Sequence, residues 1–527
     1  MKGQCRGLRR AAFGLAVVAL AAVAGQASAA AGSAPGADRA PVACHVPGLK
    51  SGVLCGSVRR ALDPARPDGT RIDVQYVVVP ALARNKLADP VFFLAGGPGQ
   101  SAISLAPVLL AMHTRLGNRR DLVFVDQRGT GRSASLDCGD PAQDDLGGQG
   151  SLDRQAAEMA RCKRELIGRP HVPDAAALGF YTTTIAVGDL DAVRAALGAE
   201  RVDLIGGSYG TRVGLEWLRR FPDRVRRTVL DGVAPPDMAL PASFSTDNQA
   251  AFDALLAACR ADRACAARHP DLDRRWKSLL GSLPRSAEVP HPLTGRLERF
   301  ELTREIVLGA VRSALYAPAF AAALPLAIDR ADAGDVRPLI GLASGLLARR
   351  STRIATGMHA SVVCAEDVPL LADAAGSVGA AGAAGVAGNT GAVDPPGADF
   401  GDSFAVLYRR LCADWPRGAV DPAFRTMPPA RSAVLLLSGS LDPATPPRHG
   451  ERAAKALGGK ARHLVVANAG HGTTAVGCMR DVVFRFVDAA DDASALAVDA
   501  SCAARIPRPG DFRAIEAGDA APAEPMR

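Results

Sequence analysis

From Cys44 to about Pro236, short apolar runs alternate with amphipathic stretches. Arg71–Pro80 (RIDVQYVVVP), Val91–Leu94 (VFFL), Leu122–Val125 (LVFV), Val202–Ile205 (VDLI) and Val225–Leu230 read as strands. Asp189–Gly198 (DLDAVRAALG) and Arg212–Arg220 carry helical patterns, the second with Val213, Trp217 and Leu218 among its apolar positions. Strands alternating with helices predict an α/β fold: a mostly parallel sheet with helices on both faces.

The pattern changes between about Asp237 and Pro429. Ala251–Cys259, Thr303–Tyr316 and Pro318–Ala331 have helical spacing, and β-rich runs are scarce. Pro318 suits a first helical position, whereas Pro325 should kink or split its helix. Residues 237–429 therefore read as a helical cap inserted between two pieces of a sheet domain, 44–236 and 430–507. Within the cap, the Gly/Ala-rich tract 374–401 has little apolar bulk to bury and is expected to be a mobile loop. Strand patterning resumes at Ala433–Leu437 (AVLLL), followed by a helix at Arg448–Leu457 and a strand at His463–Val466. The tail 508–527, rich in Pro, Ala and acidic residues, is expected to fray.

The first residues predict export. Lys2, Arg6, Arg9 and Arg10 precede an apolar run from Ala11 to Ala24, and Ala27-Ser28-Ala29 fits a small-x-small cleavage site. Residues 1–29 are thus expected to be a removable signal peptide, leading to the periplasm or outside the cell, with 30–43 as a flexible lead-in. The apolar run is short for a bilayer span, and no later segment is long enough, so no stable membrane insertion is expected after cleavage. Cleavage would take the formal charge from +8 to about +4. With no basic block or aromatic-interleaved stripe, nucleic-acid binding is not expected. Of the 11 cysteines, ten would remain. In an oxidising compartment, proximity in sequence suggests Cys44–Cys55, Cys138–Cys162, Cys259–Cys265, Cys364–Cys412 and Cys478–Cys502. Neither HExxH nor paired CxxC knuckles occur, so no metal or other cofactor is expected.

Gly206-Gly207-Ser208-Tyr209-Gly210 is a G-x-S-x-G match. Its context gives it weight, because it follows a buried strand and opens a helix. The turn is tight enough that side chains two residues either side of Ser208 would collide, and glycines remove them. A serine hydroxyl needs a base, and in this strand–turn–helix arrangement the partners follow in the order serine, acid, histidine. His471 lies just past the last strand in Asn468-Ala469-Gly470-His471-Gly472-Thr473. His269, His291, His359, His449 and His463 sit in cap loops, helices or a strand start, and read as packed or surface histidines. Asp442, in the segment Ser438–Pro443 after Ala433–Leu437, is the expected acid, with Asp231 as competitor. The oxyanion hole needs two N–H donors: Tyr209, next to the nucleophile, and Gly96 or Gly97 in the loop after Val91–Leu94.

The motifs AGGPGQSA (95–102), DQRGTGRS (126–133), GGSYGT (206–211), SGSLDPATP (438–446) and NAGHGT (468–473) occur in order. Together they resemble the proline iminopeptidase and tripeptidyl aminopeptidase family of α/β-hydrolases. The resemblance runs from about Cys44 to Cys502, and the late segment is similar to the secreted tripeptidyl branch. It implies an α/β-hydrolase fold, peptide substrates, hydrolysis from a free N-terminus and a cap that limits access. It also implies acidic cap residues holding the substrate ammonium, for which Glu366 and Asp367 are candidates; a solvated or disulfide-adjacent pair is the alternative. Ala95 departs from the His or Asn that relatives often carry before GGPG. Asp126 has Arg128 and Arg132 as possible ion-pair partners. An esterase or lipase using the same triad is the nearest rival reading. A non-catalytic envelope binding protein on a hydrolase scaffold is the more distant one.

Overall fold

A computed structural model of the protein describes residues 38–50, 52–139, 146–347, 353–371, 399–510 and 512. The expected signal peptide, residues 374–398 of the Gly/Ala-rich tract and most of the tail lie outside the described residues. Strands in chain order are β1 (Arg39–Cys44), β2 (Val53–Ala61), β3 (Arg71–Val79), β4 (Val91–Leu94), β5 (Leu122–Val125), β6 (Val202–Gly207) and β7 (Val225–Asp231). β8 (Arg285–Pro290), β9 (Leu297–Leu302), β10 (Ala433–Gly439) and β11 (Ala461–Val466) follow. Among the described residues, β8 and β9 form a separate hairpin, and the rest form one sheet in the order β1-β2-β3-β5-β4-β6-β7-β10-β11. Pairing is antiparallel from β1 through β2 and β3 to β5. From β5 through β4, β6, β7 and β10 to β11 it is parallel throughout.

The apolar runs decide this arrangement. Every residue of β4, β5 and β10 is buried, as in strands covered on both faces. Alternate side chains sort to the two faces. Phe92, Val123, Leu204 and Leu436 join one core with Trp217, whose ring meets Phe92 edge-on at 5.6 Å. Phe93, Phe124, Ile205 and Leu435 join the other with Phe486, and Phe93 stacks on Phe124 at 4.8 Å. A third cluster, with Phe252, Trp276, Leu279, Val311 and Ile328, lies within the helical region between the two sheet segments. Parallel strands present their carboxyl ends along one edge, and the candidate chemistry gathers on loops leaving that edge.

Some details correct the sequence reading. The end of the expected lead-in is ordered: Arg39–Cys44 is the edge strand β1, tied to β2 by pairing and by the Cys44–Cys55 disulfide. The cap contains the β8–β9 hairpin, whose alternating exposure offers no continuous apolar run to read. The expected proline break is present: Pro318–Ala321 and Leu324–Asp332 are separate helices, with Pro325 in the first turn of the second. All five expected disulfides are present. Among the described residues, no helix is long and apolar enough to cross a membrane.

Candidate active site

Ser208 follows β6 and caps the start of the helix Tyr209–Arg220 at φ 55°, ψ −124°. A non-glycine residue held there carries about 1–3 kcal/mol of strain, which the surroundings must over-determine. Its N–H donates to the Asp231 carbonyl at 2.9 Å. Its own carbonyl accepts from Thr211 Oγ1 at 2.6 Å, and that hydroxyl oxygen accepts from the Ala234 N–H at 2.8 Å. A Cβ at Gly206 would stand 2.5 Å from the Gly210 carbonyl oxygen, and one at Gly210 would stand 2.1 Å from that of Leu94. Both positions are closed to any side chain, as the tight turn predicts.

The two oxyanion-loop glycines differ in placement. A Cβ at Gly96 would lie 3.2 Å from Ser208 Cβ and 3.1 Å from the Gly207 carbonyl oxygen, whereas one at Gly97 would meet its own turn at Gly99 N, 2.7 Å away. Gly96 is therefore the residue set against the serine. Asp126 steadies the segment that follows this loop. Its Oδ1 accepts from Ser101 Oγ at 2.6 Å and Ile103 N at 3.1 Å, and its Oδ2 from Arg132 N at 3.2 Å. Arg128 does not pair with Asp126; it is fully buried and grips Asp189 in bidentate fashion at 2.7 and 2.9 Å.

Asp442 and His471 meet as expected: His471 Nδ1 and Asp442 Oδ2 are 2.9 Å apart. The backbone brings them together. A Cβ at Gly439 would stand 2.1 Å from the Gly470 carbonyl oxygen, so only glycine lets the two loops close. Leu441 N then donates to the Ala469 carbonyl at 2.9 Å, and His471 N to the Tyr316 carbonyl at 3.0 Å. Asp442 Oδ1 accepts the N–H groups of Ala444 (2.8 Å) and Thr445 (2.9 Å), and Oδ2 accepts the Thr445 hydroxyl at 2.7 Å. Burial alone would push the Asp442 carboxyl up, yet the charge and hydrogen bond of His471, with the Thr445 donors, hold it below its ordinary value. Burial likewise pulls His471 down. The Asp442 charge and hydrogen bond, helped by Asp231, overcome this and opposing Arg312, carrying the imidazole above its ordinary value. No hydrogen bond joins the Ser208 hydroxyl to His471 among the described residues. Such bonds often close only around substrate.

Asp231, the competing acid, has a different task. Its oxygens accept both N–H and hydroxyl groups of Thr473 and Thr474 at 2.7–2.9 Å. It ties down the loop that carries His471. The other expected bystanders are occupied: His449 with Asp247 at 3.0 Å, His463 with Ser438 at 3.0 Å and His269 with Asp329 at 2.5 Å. His291 Nδ1 accepts from Leu293 N and Thr294 N. His359 lies between the Pro98 carbonyl and the Tyr408 hydroxyl.

Glu366 and Asp367 are buried and their oxygens are engaged internally. Asp367 forms a two-pronged pair with Arg212 at 3.0 and 3.1 Å and accepts Leu240 N at 3.1 Å. Glu366 accepts Thr183 N at 2.7 Å and Thr183 Oγ1 at 2.9 Å, and Thr183 Oγ1 meets Tyr209 Oη at 2.7 Å. Burial raises the Glu366 carboxyl to about 7, against the pull of Arg212 and Thr183. The structure brings these acids to the rear of the nucleophile helix. Thr445, Tyr316 and Thr183 went unrecognised in the sequence. Only Thr445 left a signal, a hydroxyl three residues after an aspartate, which is a local turn-capping spacing.

This combination of sheet order, elbow and late acid and histidine defines an α/β-hydrolase. The chain has the α/β-hydrolase fold: a model described as alpha/beta hydrolase fold matches residues 89–311, and one described as TAP-like protein matches 398–495. It is similar to serine protease Hip1 of Mycobacterium tuberculosis, 34% identical over 198 residues, covering 36% of this chain and 37% of that protein. It is 30% identical to the tripeptidyl aminopeptidase of Streptomyces lividans over 199 residues, 36% of each chain. The match thus takes in little more than a third of either peptidase. A longer match, 27% over 432 residues, covers 77% of this chain and 78% of carboxylesterase B of Mycobacterium tuberculosis.

Proposed function

We propose that the chain is an exported serine peptidase that cleaves peptides from a free N-terminus through an acyl-enzyme. The observation carrying this is the 2.9 Å contact between His471 and a buried Asp442, on loops beside the elbow that bears Ser208. Ser208 Oγ attacks the scissile carbonyl while His471 takes its proton. Asp442 fixes the ring and stabilises its cation. The N–H groups of Tyr209 and Gly96 hold the oxyanion, with Gly97 as the alternative second donor. His471 then protonates the leaving amine, and water, deprotonated by the same imidazole, releases the acyl group. Glu366 and Asp367 are read as positioning residues that act through Arg212, Thr183 and Tyr209. The five disulfides support export to an oxidising compartment.

The peptidase reading draws on the peptidase names of the relatives; the long match to a carboxylesterase favours a second reading, ester hydrolysis by the same triad. Free and N-blocked Pro-, Ala- and Ala-Ala-Pro-type chromogenic amides, run beside p-nitrophenyl esters, decide between them. Cleavage of free-amine amides that is lost in Ser208→Ala is expected. Turnover of esters alone moves the assignment to an esterase.

A further inference from the structure

Arginines deep in this fold are matched with carboxylates: Arg128 with Asp189, Arg212 with Asp367, Arg226 with Asp203. Arg312 is an exception. It lies on the helix Arg304–Leu315, half-buried, with its guanidinium 4.5 Å from the ring centre of Phe244, 5.0 Å from Phe404 and 5.7 Å from Tyr316. Its polar contact is one donation from Nη2 to Tyr316 Oη at 3.3 Å, and its Nε is buried without a partner. Among the described residues, no carboxylate pairs with it. Cation–π contact offsets part of the cost of drying a guanidinium, but supplies no acceptor to its N–H donors.

The position gives this cation a use. Tyr316, whose hydroxyl accepts from Arg312, stands edge-on to the His471 ring at 5.2 Å, and its carbonyl accepts the His471 N–H at 3.0 Å. Arg312 is therefore one side chain removed from the imidazole that protonates the departing group. Glu366 and Asp367, the acids expected for an ammonium, are committed to Arg212 and Thr183. Beside Tyr316, the neighbour of His471, stands a guanidinium with no carboxylate partner among the described residues and a single side-chain donation. We propose that Arg312 is a specificity residue that binds a carboxylate on the leaving fragment of the substrate. The carboxylate belongs either to the C-terminus of a short peptide or to an acidic side chain. A guanidinium is the group suited to two-pronged recognition of either. This rests on Ser208 and His471 being nucleophile and base.

The test compares kcat/KM within matched pairs. Ala-Ala-Ala-Ala against its C-terminal amide reads the terminal carboxylate; Ala-Ala-Ala-Glu-amide against Ala-Ala-Ala-Gln-amide reads the side chain, and each keeps a leaving fragment whether one, two or three residues are released. A third pair, 4-carboxyphenyl against 4-carbamoylphenyl acetate, needs no peptidase activity. The wild-type enzyme should favour the carboxylate member of the ester pair and of one peptide pair roughly tenfold, the yield of one charged contact. In Arg312→Gln those ratios should fall to near one, with Arg312→Lys between. A wild type without preference in any pair overturns the proposal, as does a preference that survives Arg312→Gln. A purely structural Arg312, gluing aromatic rings together, would lower both members equally and leave the ratio unchanged. If Arg312→Gln does not fold, the ratio is read in Arg312→Lys, which keeps the charge but not the fork; there an unchanged ratio overturns the proposal and a reduced one supports it. Ester discrimination without peptide turnover would remove the peptidase reading and leave the role of Arg312 standing.

Discussion

Two neighbouring strands, β7 and β10, each deliver an aspartate to the same edge of the sheet, and the two carboxylates do opposite work. Asp442 sits on a loop past β10 that closes against the His471 loop, and one of its oxygens reaches the imidazole. Asp231 is the last residue of β7, and its oxygens are filled by four donors from Thr473 and Thr474. One carboxylate faces the ring and the other anchors the loop beneath it. The same residue type after the same kind of strand thus becomes a partner of the imidazole or a structural clamp. Which it becomes depends on what the neighbouring loop offers: a ring nitrogen or a row of N–H and O–H groups.

The comparison can be broken at several points. Ser208→Ala removes the proposed nucleophile, and kcat should fall by about 10⁴ or more, with binding of substrate retained. Asp442→Asn should cost about 10³–10⁴ in kcat at nearly unchanged Tm, because the amide stabilises the wrong imidazole tautomer. Asp231→Asn should show the reverse balance. Thermal unfolding should report a loss on the order of 1–3 kcal/mol, since a buried N–H or O–H loses its acceptor, with a smaller fall in kcat. An Asp231→Asn protein with wild-type Tm and a loss as large as Asp442→Asn would exchange the two roles. Thr445→Val, which takes one donor from Asp442 Oδ2, should lower kcat by roughly tenfold without altering the fold, as removal of a group supporting a charged ligand does elsewhere.

The smallest effect is on pH. As the proposed base His471 must be neutral to accept a proton, and its protonated form is favoured by Asp442 and, less, by Asp231. Activity should therefore disappear as pH falls through an apparent pKa above the ordinary histidine value. Removing the Asp231 charge should move that acidic limb of kcat/KM to lower pH; a shift to higher pH would mean that Asp231 does not act on the imidazole.

The sequence made the sheet legible because its central strands are buried on both faces and read as unbroken apolar runs. It also made the positions of Ser208, Asp442 and His471 legible, because each follows a strand and sits among residues that permit a tight turn. The β8–β9 hairpin was not legible: with alternating exposed positions such as Ser286, Glu288 and Arg299, it resembles a charged loop. Glu366 and Asp367 fell in the expected region but not in the expected surroundings. Their partner Arg212 lies about 150 residues earlier, and nothing local signals a contact of that range. The same holds for Arg312: Tyr316 caps its own helix four residues on, but Phe244 and Phe404 converge on it from separate helices.

The Cys364–Cys412 bridge joins the helix Thr356–Glu366 to the end of the helix Ser403–Leu411 across a separation of 48 residues. The first reaches the loop after β4 through His359 on the Pro98 carbonyl, and the second holds that histidine through Tyr408. A protease that nicks the chain anywhere between the two cysteines cannot set the halves free. The enzyme would run as one band on a gel without thiols and as two with them, while the nicked chain keeps its two helices tethered and its rings aligned.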